Sequence, residues 1–445
     1  MFIFVLSATA VAAEPPPPYS ILLMEDQDGY ALSAQAISEH GAAVGMYVHQ
    51  TGVDRAFRWD SSGMFLFDLT PDSVVSEALG INDSGASCGY DNRQFFRFRA
   101  ATWSETGQVR ILTGLGGDNS WAFDLNNRDE VVGWSELSPG SGDRRAVLWR
   151  DGIPIDLGDL GFPHSEAYAA NDLSQVAGMS WLPSRYLRAF IWEDGVMTDL
   201  GTLGGNSSVA TDINELGWVA GTSQSPTETF GVVWIDGLPQ VLEGRGASPS
   251  GLNNLGDVVG SCLSVVESRQ LSIWIDQSVY ELRDLVAPNH RWDFADPAWS
   301  FVEDINDNRQ IVGWMRRSGL SSSITAGFLM SPVTWTASLE LVGGSPGVAG
   351  GINTLTADGF TPGARVYFVY SRHGGGAMIP GCSLLDNALQ IDDPKIAGRA
   401  TADANGVAEL TAFVPAAAAS LGEIVIQAVD PDACAISNWI AVRFE

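Results

Sequence analysis

The segment DINELGWVAGT at residues 212–222 contains the pattern that decides the fold. In it, an apolar residue and Asn214 are followed by turn residues, and then by two apolar residues and Gly221. The pattern also occurs at 80–90, 124–134, 169–179, 251–261 and 304–314, and in the degenerate form AISEHGAAVGM at 36–46. Its closing glycines are spaced from 39 residues (Gly221 to Gly260) to 53 residues (Gly260 to Gly313). Repeats of this length that hold several short strands are typical of propeller blades.

Two further predicted strands recur in each repeat, after the closing glycine of this pattern. One of them ends in Met330 in the seventh copy and in Trp in the other six: AFRW at 56–59, AATW at 100–103, AVLW at 146–149, AFIW at 189–192, GVVW at 231–234 and LSIW at 271–274. The next strand ends in Asp-Leu in several copies, as in VMTDL at 196–200. Apolar and polar residues alternate within these segments, and Gly, Asn and Asp separate them. This predicts four strands per repeat and no helices.

The two ends of the repeat region complement each other. The seventh copy stops after its third strand, at Met330, whereas SILLM at 20–24 precedes the first copy without a repeat of its own. An N-terminal strand that completes the last blade would close the ring and remove exposed sheet edges. We therefore predict an all-β fold, with a seven-bladed β-propeller over 20–332 that is closed by its N-terminal strand.

The sequence outside the repeats divides into three segments. Residues 1–13 are apolar and end in small residues, which is typical of a signal peptide, and 14–19 form a Pro-rich linker. Residues 333–445 hold alternating segments and the turn DANG at 403–406, which predict a small β-sandwich. An exported protein would allow Cys382 and Cys434 to pair as a disulfide in this last segment.

The repeats resemble those of one known family. The stretch DLGTLGGNSSVATDINELGWVAG at 199–221, together with RAFIWEDGVMTDLG at 188–201, resembles the HAF repeat of extracellular bacterial proteins. The resemblance covers residues 20–331, and Arg188 stands where the family has the His of its His-Ala-Phe tripeptide. The segment at 359–372 is similar to C-terminal β modules of secreted bacterial proteins. These resemblances imply an extracellular or cell-surface location and assign no activity.

Composition excludes several classes of function. The formal net charge is −29 and the chain has a single lysine, Lys395. Such a chain repels phosphate backbones and anionic membranes, so we expect no nucleic-acid partner. After residue 13 no stretch approaches the roughly 18 apolar residues of a membrane helix, so no membrane span is expected. The five histidines are scattered and no CxxC pair exists, so no metal site is predicted.

Six carboxylates are candidate ligand-binding residues. We assign the segment before each repeated Asn to the innermost strand, because it is rich in small residues and the centre of a propeller is crowded. The carboxylates of these segments are Glu77, Asp124, Glu166, Asp212, Glu303 and Asp304. They would form an acidic funnel that binds a glycan or a cation at the mouth of the channel. Capping of the turns is the competing interpretation for the three aspartates, which all lie two residues before an Asn.

The repeated residues are interpreted as structural. Asn82, Asn126, Asn171, Asn214, Asn253 and Asn306 would cap their own turns. The repeated glycines would allow close approach of the backbone, and the repeated tryptophans would pack between blades. Partial calcium-loop patterns occur at 25–30 and 306–310, without the full order of ligands, so bound calcium stays an alternative and no other cofactor is expected.

These observations favour a secreted, monomeric protein without catalytic activity. It would act in binding, adhesion or structure, with an extracellular glycan or a surface protein as its partner. No catalytic motif is present and no catalytic residue is assigned. The alternative is a glycan-active hydrolase or lyase that uses carboxylates of the channel, since two such groups suffice to cleave a glycosidic bond.

Overall fold

The computed structural model is all-β. It describes residues 16–24, 32–48, 53–93, 97–263, 268–286, 300–316, 325–333, 338–341, 347–349, 351–371, 395–414, 423–431 and 435–444. The signal-peptide-like segment, Cys382 and Cys434 lie outside these residues, as does the calcium-loop pattern at 25–30. No helix in the described part of the chain is long and apolar enough to cross a lipid bilayer.

The repeat region begins with β1 (Tyr19–Met24) and continues with four-stranded antiparallel sheets. Sheet 1 contains β2 (Leu32–Ile37), β3 (Ala43–Tyr47), β4 (Arg55–Asp60) and β5 (Gly63–Leu66). Sheet 2 contains β6 (Ser73–Ile81), β7 (Ser87–Arg93), β8 (Arg97–Trp103) and β9 (Val109–Ile111). Sheet 3 contains β10 (Ser120–Leu125), β11 (Val131–Glu136), β12 (Arg144–Arg150) and β13 (Ile153–Asp156). Sheet 4 contains β14 (Ser165–Ala170), β15 (Val176–Trp181), β16 (Leu187–Glu193) and β17 (Val196–Asp199).

The remaining sheets of this region follow the same order. Sheet 5 contains β18 (Ser208–Ile213), β19 (Val219–Gln224), β20 (Thr229–Ile235) and β21 (Leu238–Val241). Sheet 6 contains β22 (Arg245–Leu252), β23 (Val258–Leu263), β24 (Arg269–Ile275) and β25 (Ser278–Glu281), and a 3-10 helix (Leu282–Leu285) follows it. Sheet 7 contains β26 (Phe301–Ile305), β27 (Ile311–Arg316) and β28 (Thr325–Pro332), and β1 is its fourth strand.

The first strand of the chain pairs with the last strand of the repeat region. In β1, Ile21 lies opposite Met330 of β28 in an antiparallel register. Tyr19, which the sequence places in the linker, belongs to this strand, because its side chain is fully buried and its backbone lies opposite Pro332. The edge of β28 is thereby covered, and β1 becomes the outer strand of sheet 7.

The innermost strands of successive sheets are neighbours. They are β2, β6, β10, β14, β18, β22 and β26, and β26 in turn lies beside β2. Each of them precedes the repeated turn, as the sequence predicts. This cyclic order of four-stranded meanders is a β-propeller. We call the end where these strands begin the loop end, and the end where they enter the repeated turn the turn end.

The repeated glycine permits a tight approach of two strands. A Cβ atom on Gly133 would lie 1.9 Å from the carbonyl oxygen of Trp121 on the paired inner strand. The other six closing glycines meet the same obstacle, at 1.8 to 2.2 Å. Each inner strand carries a bulge just after this contact, for example between Ala122 and Asp124. Close backbone approach is therefore the reason for the repeated glycine.

The repeated tryptophans fill the interfaces between sheets. Trp149 of sheet 3 is fully buried with Cys88 and Ala100 of sheet 2. Its indole N–H donates to the carbonyl oxygen of Thr113 at 2.7 Å. Trp103 and Trp274 make the equivalent bonds to Asp68 and Glu243. These three tryptophans thus bury apolar area and satisfy backbone acceptors between sheets.

Residues after 332 form two further sheets. One contains β29 (Ser338–Leu341), β30 (Gly351–Asp358) and β33 (Ala408–Val414). The other has the order β32 (Lys395–Thr401), β31 (Arg365–Ser371), β34 (Glu423–Asp430) and β35 (Ala435–Arg443). Both contribute to one apolar cluster, with Leu355 and Ala408 from the first and Phe368 and Ile426 from the second.

Candidate functional site

The six predicted carboxylates all lie on inner strands, but they form two groups at different depths. Asp124, Asp212 and Asp304 lie near the turn end, on β10, β18 and β26. Glu77, Glu166 and Glu303 lie nearer the loop end, on β6, β14 and β26. The two groups meet on β26, where the charges of both Glu77 and Asp304 act on Glu303.

The three aspartates join neighbouring sheets. A carboxylate oxygen of Asp304 accepts from the backbone N–H of Ile37 at 2.9 Å, and the other accepts from Ile305 at 2.7 Å. The backbone N–H of Ala170 donates to Asp124 at 2.9 Å, and that of Leu252 donates to Asp212 at 2.6 Å. Each aspartate thus accepts hydrogen bonds from its own strand and from the next sheet. This agrees with the capping interpretation and adds a bond between sheets.

The surroundings of these aspartates disfavour their charges. Protein atoms surround each carboxylate although each keeps a partly exposed surface. The resulting loss of hydration raises the pKa of Asp124 to about 7 and that of Asp304 to about 6. The pKa of Asp212 is raised well above its ordinary range, first by burial and then by the charges of Asp304 and Asp124. The three groups therefore face one another inside the ring of inner strands.

The surroundings of Glu77 and Glu303 raise the pKa values of these two glutamates. Glu77 accepts from the side-chain amide of Gln35 at 3.0 Å and from the hydroxyl of Tyr90 at 2.8 Å. Burial raises its pKa, and burial with the charge of Glu77 raises the pKa of Glu303 to about 7. Glu303 accepts from the indole N–H of Trp314 at 3.0 Å.

Glu166 differs because it is paired with the guanidinium of Arg144. It accepts from Arg144 at 2.9 Å and from the hydroxyl of Tyr168 at 3.0 Å, and His164 lies 3.4 Å away. Burial acts to raise the pKa of Glu166, but the hydrogen bonds from His164, Arg144 and Tyr168 outweigh it and lower the pKa. Glu166 is therefore a carboxylate at neutral pH, oriented by three partners.

A cluster of aromatic side chains at the loop end extends to this carboxylate through Tyr168. We call it the aromatic platform, and it consists of Tyr90, Phe98, Trp121, Phe123, Trp134 and Tyr168 from sheets 2 to 4. The ring of Phe98 stacks on Trp121 at 4.6 Å, and Tyr90 lies 4.1 Å from Trp121, measured between centroids. Phe123 lies 5.2 Å from Tyr168, the partner of Glu166. The platform thus reaches from sheet 2 to the carboxylate on sheet 4.

Polar groups border the aromatic platform. The guanidinium of Arg144 lies 4.2 Å from the centroid of Trp134, in cation–π geometry, and also binds Glu166. The indole N–H of Trp121 has no acceptor among the described residues. Phe98, Trp121, Phe123 and Tyr168 keep part of their surface exposed. The arrangement offers partly exposed apolar faces beside the guanidinium of Arg144, which is itself bonded to the buried carboxylate of Glu166.

Sequence reasoning missed the platform, although a signal for it exists. At the positions of Trp121 and Phe123, the fifth repeat has Val209 and Thr211, and the sixth has Ser248 and Ser250. Aromatic residues occupy these inner-strand positions in only some repeats, since Phe301 stands at the position of Trp121 in the seventh and Tyr168 at that of Phe123 in the fourth. They are departures from the other repeats. Departures of this kind mark function better than the repeated residues do.

The repeated asparagines do more than the predicted capping. In Asn126, the side-chain oxygen accepts from the backbone N–H groups of Arg128 and Glu130 in its own turn. Its side-chain amide also donates to the backbone carbonyl of Asn171 in the next sheet, at 2.9 Å. The same bond joins Asn82, Asn171, Asn214, Asn253 and Asn306 to the following sheet.

The residues that directly follow Ser38 and the six asparagines form a second circle of hydrogen bonds at the turn end, which we call the cross-linked circle. Its members are Glu39, Asp83, Asn127, Asp172, Glu215, Asn254 and Asp307. The backbone N–H of each donates to a side-chain oxygen of the next, at 2.7 to 3.1 Å, and Asp307 donates to Glu39. In the described residues no group of three or more His, Cys, Asp or Glu side chains has metal-binding geometry. Because its hydrogen bonds join all seven sheets in turn, we describe this circle as a structural cross-link.

Comparisons with known proteins give weak structural similarities. No family model matches the chain, and no curated protein matches it. A puromycin-hydrolyzing peptidase of Mycobacterium tuberculosis has a TM-score of 0.45 at 11% identity, covering 78% of this chain and 62% of the peptidase. TolB from Acinetobacter baumannii has a TM-score of 0.34 at 13% identity, covering 58% of this chain and 57% of TolB. The six-bladed fungal lectin of Aleuria aurantia, described with fucose recognition, has a TM-score of 0.28 at 10% identity, covering 60% and 96%.

Proposed function

We propose that the chain is an exported, non-catalytic binding protein whose aromatic platform holds a glycan. The observation that carries this proposal is the arrangement of partly exposed aromatic rings beside Arg144 and Glu166. A pyranose ring has apolar C–H faces, which pack on aromatic rings, and hydroxyl groups, which bond to fixed carboxylates and guanidinium groups. Burial of one or two sugar rings on the platform would use both kinds of contact.

The proposed architecture is a seven-bladed propeller closed by the N-terminal strand, followed by a β-sandwich over 333–445. Sheets 1 to 7, the pairing of β1 with β28 and the closed circle from Glu39 to Asp307 support the blade number. The shared apolar cluster after residue 332 supports the sandwich. Membership in the HAF-repeat class, an extracellular location, a monomeric state and the Cys382–Cys434 disulfide are parts of the same proposal.

A glycan array probed with the purified full chain tests the binding function. We expect wild type to bind a subset of neutral or cationic glycans, and Trp121→Ala to lose that binding at least tenfold. Binding that is equal in wild type and in Trp121→Ala, with both proteins folded, would contradict the assignment of the site.

A glycan-active hydrolase or lyase is the second candidate. It is favoured by Glu303, because a carboxyl with a pKa near 7 remains partly protonated at neutral pH and suits a general acid. Any glycan bound on the array should be incubated with the protein and its products separated by chromatography. Cleavage by wild type that is lost in Glu303→Gln would favour the enzyme, and an unchanged glycan would favour binding alone.

A further inference from the structure

The turn end of sheets 4 to 6 carries exposed aliphatic side chains at equivalent positions. Leu173, Leu216 and Leu255 each follow a member of the cross-linked circle, and 57%, 58% and 57% of their surfaces are exposed. The residues before them are directly bonded, since Asp172 donates to Glu215 and Glu215 donates to Asn254. The three leucines therefore lie on adjacent sheets in one arc.

A second row of aliphatic residues lies on the same end, where the third strand of each sheet turns into the fourth. Val196 is 63% exposed and Leu238 is 71% exposed. On sheet 4, a hydrogen bond between the side chains of Gln175 and Glu193 joins the turn after the first strand to the turn after the third strand. Leu173 and Val196 therefore lie on the same end of that sheet. We call Leu173, Val196, Leu216, Leu238 and Leu255 the leucine arc.

The surroundings of the leucine arc are acidic. The turns at 170–176, 192–197, 213–219, 234–239, 252–258 and 274–279 contain no Lys or Arg. They contain the acidic residues Asp172, Glu193, Asp194, Glu215, Asp236, Asp257 and Asp276. Of these, Asp257 is paired with Arg309, and Arg128 from the turn of sheet 3 reaches Ser174 beside Leu173. Exposed aliphatic residues on one end of adjacent sheets, within a mainly acidic surface, are typical of an interaction site.

We propose that the leucine arc docks a cationic segment of a partner protein that carries aliphatic side chains between its Lys or Arg residues. Opposite charges bring such a segment to the surface, and the leucines bury its apolar side chains. A second copy of this chain would present a surface of the same sign, and an anionic membrane would be repelled. The residues before β1 contain no Lys or Arg, so they do not match this surface either.

A designed peptide tests the proposal with the full chain. The probe is a fluorescent 14-residue peptide of alternating Leu and Lys, measured by anisotropy in low and high salt. Wild type should bind it, and the triple variant Leu173→Gln/Leu216→Gln/Leu255→Gln should bind it at least tenfold more weakly. The matched control is Ile352→Gln/Ile396→Gln, which removes two exposed aliphatic residues elsewhere and should bind as wild type does.

Several outcomes would overturn the proposal. Equal binding by wild type and by the folded triple variant would show attraction by net charge alone. Loss of binding in the control as well as in the triple variant would show that the arc is not the site. Dimerisation that the triple variant abolishes, or binding to vesicles of anionic lipid, would assign the arc to a second copy or to a membrane. Because the platform is at the other end of the inner strands, Trp121→Ala should leave peptide binding unchanged.

Discussion

The side-chain amide of Asn306 donates a hydrogen bond of 3.0 Å to the backbone carbonyl of Ser38, which lies 268 residues earlier in the chain. It joins sheet 7 to sheet 1, as equivalent asparagines join each of sheets 2 to 6 to the sheet that follows it. At the first copy, Ser38 replaces Asn, and its hydroxyl accepts from Ala42. A serine hydroxyl is too short to repeat the asparagine amide bond to the carbonyl of Asn82 in sheet 2.

Ser38→Asn should therefore stabilise the protein. The new side chain would keep the bond from Ala42 and would add a donor to the carbonyl of Asn82, as Asn82 itself does to Asn126. One added buried hydrogen bond is worth about 1 kcal/mol. Urea unfolding would measure the gain, and the reverse change Asn171→Ser should cost a similar amount. A destabilised Ser38→Asn would contradict the equivalence of the two sites.

The closing strand gives a second prediction. Ile21 on β1 is 2% exposed and packs in the core shared by sheets 6 and 7. Ile21→Ala should destabilise the protein by about 2–5 kcal/mol, because it removes buried methyl groups and leaves a cavity. Ile153→Ala is the matched control, since Ile153 is 67% exposed and should cost little. Equal effects of the two changes in urea unfolding would show that β1 is not part of the core.

The repeat made the strand order accessible from sequence, but not the bonds between repeats. The small residues before each Asn indicated the inner strand, and the lone strand at 20–24 indicated its pairing with β28. The sequence does not tell how far one turn lies from the next, so the amide bond from Asn126 to Asn171 could not be foreseen. The aromatic platform was missed for another reason. Aromatic residues stand at the positions of Trp121 and Tyr168 in only some repeats, and reasoning from repeats sets aside what does not recur in all of them.

The buried aspartates predict a dependence of stability on pH. Their pKa values in the folded protein are raised above the ordinary value, so the folded state binds more protons than the unfolded state between about pH 4 and pH 7. These groups therefore favour folding more at pH 5 than at pH 8, and their contribution falls as pH rises through the folded pKa. Glu303 and Glu39, with pKa values near 7, act in the same direction.

Urea unfolding from pH 5 to pH 8 would measure this trend. The free energy of unfolding should fall with rising pH across this range, and Asp304→Asn should make the fall shallower. Asp403→Asn is the control, since Asp403 is exposed and its pKa is lowered by backbone hydrogen bonds, which places its titration below this range. Stability that rises between pH 5 and pH 8, with Asp304→Asn unchanged in slope, would contradict the raised pKa values.

The aromatic platform gives the last prediction, which separates binding from folding. Trp121 is partly exposed and contacts Tyr90, Phe98, Phe123 and Trp134. Trp121→Phe should keep the packing and much of the affinity for a glycan, whereas Trp121→Ala should lose at least tenfold. Tyr186→Ala is the matched control, because Tyr186 is an aromatic residue that is 44% exposed in a loop outside the platform. Titration calorimetry with a glycan found on the array would measure the three affinities. A loss of affinity in Tyr186→Ala with full affinity in Trp121→Ala would move the site away from the platform.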